Sequence, residues 1–318
     1  MVVISKRSSL LFLFTLLSCA DAFIKYDVPR PDPFVDPKHD PYNPLKYIAS
    51  NVLTGIAVAL VLAVALTQTW LIFKVGAKWM MPMTIGAYLF ALGLSFRFGL
   101  HLHPQSKGIY ILEYLLVVLS PCAFIAADYV LLGRLAKHLD ADRHLLVTSR
   151  RITIVFVGSD VTTFLIQAAG GAMSASASDL VKATIGSHVF LAGLVAQLIS
   201  FSCFTCICLI FLYRIRKNDP RIWATDKAEK WYNSWLALAG ALIVSCIGIL
   251  IRSGFRVVEI SEGFQGRLST SEAFFYGLDT LPLFVACVVY IPFWPGRFTC
   301  GPILRPIRQE HKESSSSI

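Results

Sequence analysis

Seven long apolar runs divide this chain, near residues 47–73, 79–100, 109–133, 152–172, 185–213, 232–251 and 274–294. Each matches the roughly 20 residues needed to cross about 30 Å of hydrocarbon. Lipid offers backbone groups no water, so only helices or closed barrels span it. These runs are too long and too uniformly apolar for barrel strands, which alternate lipid-facing and lumen-facing residues. The pattern predicts an all-α, polytopic membrane protein whose residues 47–294 form a seven-helix transmembrane bundle. In the first run, Gly55, Ala59 and Ala63 make a small-residue stripe expected to let another helix approach closely. Trp70, Trp79, Trp231 and Trp294 sit near run ends, where interfacial anchors are expected.

The flanks complete the organisation. Residues 1–22 have a basic start (Lys6, Arg7), a short apolar core (Leu10 to Leu17) and a small-x-small site at Ala20-Asp21-Ala22, which predicts a secretory signal peptide. Residues 23–46 carry six prolines among charges and read as an extended tail outside the membrane. Residues 295–318 form a tail with a serine-rich end. Lys plus Arg number 17 in the connections on one side of the predicted membrane and 9 on the other, residues 252–273 being counted among the latter. The excess marks the cytosolic side, so the amino end is expected outside and the carboxyl end inside.

Composition agrees with a membrane protein. Of 318 residues 55% are hydrophobic and only 15% charged, against about 25% charged in a soluble domain. The net charge of +9 sits in loops between apolar runs, so it points to orientation in a bilayer and contact with anionic lipid rather than to nucleic acid. Six of the eight cysteines fall inside apolar runs, and Cys203-x-x-Cys206-x-Cys208 has no second pair or histidine beside it; no metal and no cofactor is expected.

Charged side chains in such runs are costly, and their positions carry the functional reading. Arg252, Arg256 and Glu259 share one helical face at the end of the sixth run, and Asp279 lies in the seventh. Arg97 near the end of the second run and Glu113 near the start of the third come to similar depth and are expected to pair, with His101 one turn beyond. Four helices thus direct charge toward one outer-leaflet cluster. It reads either as a salt-bridge lock between helix ends or as a polar site for an amphiphilic head group. A second set lies deeper: Asp160 and Gln167 on one face of the fourth run, Gln197 in the fifth and Asp128 in the third. Asp160 has no basic residue within a turn. It is expected to be protonated, paired across helices or bordering water. Gln167 and Gln197 each read as making an interhelical hydrogen bond. Pro121 and Pro282 interrupt their helices and free backbone carbonyls nearby.

Several chemistries find no support. There is no Gly-x-x-x-x-Gly-Lys-Ser/Thr loop for ATP, no Gly-x-Ser-x-Gly elbow, no lysine in the seventh run for a retinal Schiff base, and only His188 inside a helix. No enzyme is expected.

The chain resembles the fungal lipid-translocating exporters, also called aminocholesterol-resistance or RTA-like proteins. The resemblance is carried by Tyr42-x-Pro44, by Glu113 through Pro121-Cys-Ala-Phe-Ile-Ala-Ala-Asp128-Tyr129-Val-Leu-Leu-Gly133-Arg134, and by Phe156-Val-Gly-Ser-Asp160 with Gln167-Ala-Ala-Gly170-Gly171. It continues in Gly193-Leu-Val-Ala-Gln197 and in Ile251-Arg252-Ser-Gly-Phe255-Arg256-Val-Val-Glu259, running on to Glu272, Tyr276 and Asp279. It implies a seven-helix protein of the plasma membrane or endomembranes, associated with movement of sphingoid bases or with resistance to toxic amphiphiles. It carries over no catalytic residues. The resulting expectation is a membrane protein that binds an amphiphilic lipid or toxin and assists its passage. Arg97, Glu113, Arg252, Arg256, Glu259 and Asp279 would hold the head group, and Asp128 and Asp160 would guide a cationic amine. A heptahelical receptor or regulator is the alternative.

Overall fold

A computed structural model describes residues 32–40, 42–177, 179–220, 234–263 and 266–299. These residues form helices without strands. The elements are α1 (Asn51–Val75), α2 (Met81–Leu102), α3 (Lys107–His138), α4 (Ser149–Ala175), α5 (Leu180–Asn218) and α6 (Trp235–Ser261). A seventh run follows in three pieces: one turn α7 (Glu272–Phe274), a π-helical stretch π1 (Phe275–Thr280) and α8 (Leu281–Val288). Among the described residues six helices, α1 to α6, are long and apolar enough to cross a membrane. The signal-peptide reading, Trp231 and residues 300–318 lie outside the described residues.

Helices adjacent in the chain pack on one another from α1 to α6; α8 packs on α6 and reaches α1, closing the ring, and α3 touches α6 across it. Local chemistry sets the ends. The Ser50 hydroxyl accepts from the Leu53 amide at the start of α1, and Ser234 accepts from Leu236 and Ala237 at the start of α6. α1 stops at Gly76 and Ala77, with φ of 94° and 68°, a conformation glycine adopts freely and alanine only under constraint. Glycines admit the closest helix contacts. A Cβ on Gly170 would lie 2.4 Å from the Phe190 amide nitrogen, and one on Gly186 2.5 Å from that of Ser174. These two positions zip α4 onto α5. Gly248 does the same for α6 on α8, its added Cβ meeting the Pro282 carbonyl at 2.5 Å.

The structure departs from the sequence reading at four places. First, α6 continues ten residues past the predicted end at 251. Arg252 and Arg256 are therefore buried inside a helix, and only Arg267 of the three basic residues counted there stays on the loop. Second, Ala59 and Ala63 are exposed and Gly55 half-buried, so the small-residue stripe faces away from the bundle. The buried face of α1 is instead Ala57, Val61, Val64, Ala65 and Gln68, with the Gln68 amide donating to the Cys287 carbonyl at 3.0 Å. Third, Trp294 is no interfacial anchor: it is fully buried and its indole donates to the Gly76 carbonyl at 3.2 Å. Trp79 is also packed on the core, under Arg134. Trp70 remains exposed with Lys74 over its ring. Fourth, the proline-rich tail is not extended throughout. From Asp40 onward it docks on the bundle, burying Asp40, Asn43, Leu45 and Ala49. The Asn43 side chain closes a local turn on Leu45, and the bundle supplies the rest: Gln105 donates to Asp40, and the His101 ring bonds the Ala49 carbonyl at 2.7 Å. A segment unable to fold alone gains its partners from the helix ends beneath it.

Candidate functional site

Two polar regions lie inside the bundle. The first occupies the end that carries residues 42–50, the α2–α3 turn and the α6–α7 connection. Asp279 on π1 is its centre and is wholly buried. Its Oδ1 accepts from Arg252 Nε at 2.8 Å and from Arg256 Nε at 2.7 Å, and its Oδ2 accepts from Arg256 Nη2 at 2.9 Å. Arg256 Nη1 donates to Glu259 one turn on, at 2.8 Å. Arg252 Nη2 donates to the Val117 carbonyl at 2.7 Å. That carbonyl is available because Pro121, four residues later in α3, has no N–H to give it. The proline thus supplies an acceptor for a buried cation, and the helix runs on through it.

Arg97 on α2 forms the other half of this region. It donates to Glu113 on α3 at 3.3 Å and to the Tyr47 hydroxyl at 2.8 Å, and it lies 3.5 Å from Glu272. Glu272 also accepts from the Ser50 amide at 2.8 Å, which ties the start of α1 to α7. Phe275 joins the halves: its ring centroid lies 4.1 Å from the Arg97 guanidinium carbon and 5.9 Å from that of Arg256. π1 makes this possible. Its extra residue per turn, just before Pro282, brings Phe275, Tyr276 and Asp279 to the cluster; Tyr276 sits 5.3 Å from Arg97 and bonds Thr54 on α1. The expected Arg97–Glu113 pair, and the shared face of Arg252, Arg256 and Glu259, are present. The charged groups answer one another; among the described residues the buried side-chain atoms here without a hydrogen-bond partner are Arg97 Nε and the hydroxyls of Tyr114, whose ring lies under Arg256, and of Thr280, next to Asp279. Between the two readings of this cluster, that pairing supports the lock. A buried pair is costly to open, since removing one partner strands the other at about 3–5 kcal/mol.

The second region runs deeper, along α3, α4 and α5. Gln167 Nε2 donates to Gln197 Oε1 at 2.7 Å, and Gln197 Nε2 to Cys122 Sγ at 3.5 Å; the interhelical hydrogen bonds expected of these glutamines are made to one another and on to α3. Asp160 is only 4% exposed, yet neither carboxylate oxygen has a well-formed hydrogen bond among the described residues. The Tyr129 hydroxyl faces it at the margin of hydrogen-bonding reach, too poorly aligned for a well-formed bond, and has no better partner among the described residues. Gln167 Oε1 is a third orphan. Asp128, next to Tyr129 on α3, is different. It is buried and accepts from Ser245 on α6 and from Tyr290, two residues past α8, each at 2.8 Å, so it knots α3 to α6 and to the end of the seventh run. The structure does not place Asp128 and Asp160 in one site.

Sequence reasoning missed the aromatic and hydroxyl partners: Tyr47, Tyr129, Ser245, Phe275, Tyr276 and Tyr290. None carries charge, so nothing in the hydropathy pattern marks them. Tyr129 had one local signal, its place directly after Asp128. Outside the membrane-spanning segments, Asp219 caps α5 and accepts from His144 at 2.5 Å and Arg143 at 2.6 Å; these donors hold its carboxyl below the usual range. No group of three or more metal-ligating side chains occurs among the described residues.

Comparison with known proteins decides the family. Residues 83–301 match the family described as RTA1 like protein. The chain belongs to the RTA1-like family. Among its relatives, Protein RTA1 of Saccharomyces cerevisiae is 31% identical over 214 residues, which cover 67% of this chain and 65% of that protein. Protoporphyrin uptake protein 1 of the same yeast is 28% identical over 66% of each chain, and its Sphingoid long-chain base transporter RSB1 is 26% identical over 64% of this chain and 61% of its own. The chain thus matches just under two thirds of the length of these curated relatives. None of their names denotes an enzyme. No solved structure matches this chain significantly.

Proposed function

We propose that this protein is a multi-pass component of the plasma membrane that assists transbilayer movement or export of amphiphilic lipids or lipophilic toxins. In this reading the interrupted run α7–π1–α8 is the seventh crossing, the amino end is outside and the carboxyl end cytosolic. The relatives' names support the class of cargo, since one names a sphingoid-base transporter and another a porphyrin-uptake protein. One structural observation carries the reading. Helix α4 has two unlike faces: Val155, Val161 and Leu165 are exposed where lipid would lie, while Asp160 and Gln167 form a buried polar row on the other side. An amphiphile needs this pairing, a track for its head group beside an outlet for its tails.

The head-group assignment shifts accordingly. Arg97, Glu113, Arg252, Arg256, Glu259 and Asp279 are already paired with one another and serve as a lock that holds one end of the bundle. Asp128 is held by two hydroxyls. Passage falls to the α3–α4–α5 wall, where the protein's own partners run out. With no nucleotide-binding loop in the sequence, movement is passive or coupled to protons.

The test is reconstitution of the pure protein into vesicles and quenching of a fluorescent long-chain amphiphile from one side. Transfer several-fold faster than in protein-free vesicles is expected; equal rates overturn the reading. The closed lock favours one rival, a heptahelical receptor that binds without moving its ligand. Saturable binding with no transfer would be its signature.

A further inference from the structure

The deeper polar wall has a more specific chemistry than passage of amphiphiles in general. Asp160 stands eleven residues into the 27-residue α4, about 16 Å along it at 1.5 Å per residue, hence near the middle of the span. A charge crossing a bilayer meets its highest cost there. Among the described residues both Asp160 oxygens and the neighbouring Tyr129 hydroxyl are buried without a well-formed hydrogen bond, each having only the other at the margin of reach. A buried polar group left unmatched is costly and uncommon, and a carboxylate more so. Among the described residues no arginine or lysine is within salt-bridge distance of this carboxylate, although every other buried carboxylate on α3, α6 and π1 has either a cation or two hydroxyls.

The unmatched atoms are chiefly acceptors, and the surroundings suit a cation. Tyr129 packs against Phe156 at 5.4 Å and against Phe204 at 4.5 Å between centroids, and Phe201 lies 6.4 Å away. Phe156 is one turn before Asp160 on the same helix. A carboxylate beside aromatic rings attracts ammonium by ion pairing and by the ring quadrupoles. It repels phosphate and carboxylate head groups. An ammonium also brings three N–H donors, enough for both Asp160 oxygens and the Tyr129 hydroxyl. Seven residues further on the same face, Gln167 Oε1 is another buried acceptor without a partner, because its amide donor is spent on Gln197.

We propose that Asp160 and Tyr129 form a binding site for the protonated primary amine of a long-chain amphiphile, with Gln167 as the next acceptor along its path. The assignment rests on the passage reading above and narrows it: the cargo is cationic, and neutral or anionic amphiphiles are discriminated against at mid-membrane. Asp160 is a binding residue, and no bond is made or broken.

The experiment uses the full chain in nanodiscs of zwitterionic lipid, titrated with a fluorescent eighteen-carbon primary amine and with its N-acetyl counterpart. The wild type binds the amine saturably and the acetylated form at least tenfold more weakly. Asp160→Asn weakens amine binding at least tenfold, and Asp160→Glu keeps it within threefold. Equal binding of the two probes by the wild type, or an Asp160→Asn protein that binds the amine as the wild type does, overturns the site. Should the variants not fold, the wild type alone decides. A hydrophobic carbodiimide, which labels carboxyls in apolar surroundings, is expected to modify Asp160, and saturating amine to protect it. Absence of labelling or of protection counts against the proposal. Vesicle transfer separates the two readings. Amine and acetylated probe moving equally fast keeps amphiphile passage and removes the amine site, whereas Asp160-dependent binding without transfer does the opposite.

Discussion

Replacing Asp279 with asparagine should be the most damaging single change in the ionic lock. The carboxylate accepts three hydrogen bonds from two buried guanidinium groups. After Asp279→Asn, Arg256 keeps Glu259, but Arg252 keeps only the Val117 carbonyl. One cation is then nearly uncompensated in the bundle interior. Breaking a buried pair this way costs about 3–5 kcal/mol. At about 2–4 °C per kcal/mol for domains of 150–250 residues, the melting temperature of the purified protein should fall by roughly 10 °C. The comparison that isolates the cause is a double-mutant cycle. Arg252→Met in the Asp279→Asn background removes the stranded charge and should recover at least half of the loss, although each change alone destabilises. Thermal unfolding followed by tryptophan fluorescence in one fixed detergent reads all four proteins. A loss below about 1 kcal/mol, or strictly additive effects, would show that the cluster does not bear on stability as argued.

Three further outcomes follow from other parts of the molecule. Gly186→Ala should cost about 1–3 kcal/mol through backbone collision with α4, whereas Gly158→Ala, whose Cβ would meet nothing within 4 Å, should be tolerated; differential melting of the two proteins checks this. Asp128→Leu leaves the Ser245 and Tyr290 hydroxyls buried without their acceptor and should cost about 1–3 kcal/mol, while Asp128→Asn keeps an acceptor and should cost less, by the same measurement. The Asp219 carboxyl, depressed first by the His144 hydrogen bond and then by Arg143, favours the folded state above the unfolded carboxylate value of about 3.9 and loses that contribution as pH falls through its lower folded value. Melting temperature against pH should therefore decline on the acid side in the wild type, and Asp219→Asn should be lower above that window and show less of the decline within it.

The places of α1 to α6 were legible in the sequence because lipid imposes a requirement that is local: about 20 apolar residues in succession, whatever they touch; the seventh run, broken into α7, π1 and α8, is not a single helix long enough to cross. The same cost made the buried charges conspicuous, and the Arg97–Glu113 pair could be named from depth alone. Partners were not legible, since they come from residues tens to hundreds of positions away. α6 continues through Arg252 and Arg256, and it is Asp279, reaching them from π1, that compensates their charge inside the bundle. The use of the Val117 carbonyl by Arg252, the docking of residues 42–50 and the burial of Trp294 are likewise set by distant partners. Which way the Gly55 stripe faces is equally invisible along the chain, because rotation of a helix is set by its neighbours. The tertiary structure also separated two carboxylates that look alike in sequence. Asp128 is answered by Ser245 and Tyr290, whereas Asp160 has no well-formed hydrogen bond among the described residues, a difference that depends on which side chains the fold brings within 3 Å.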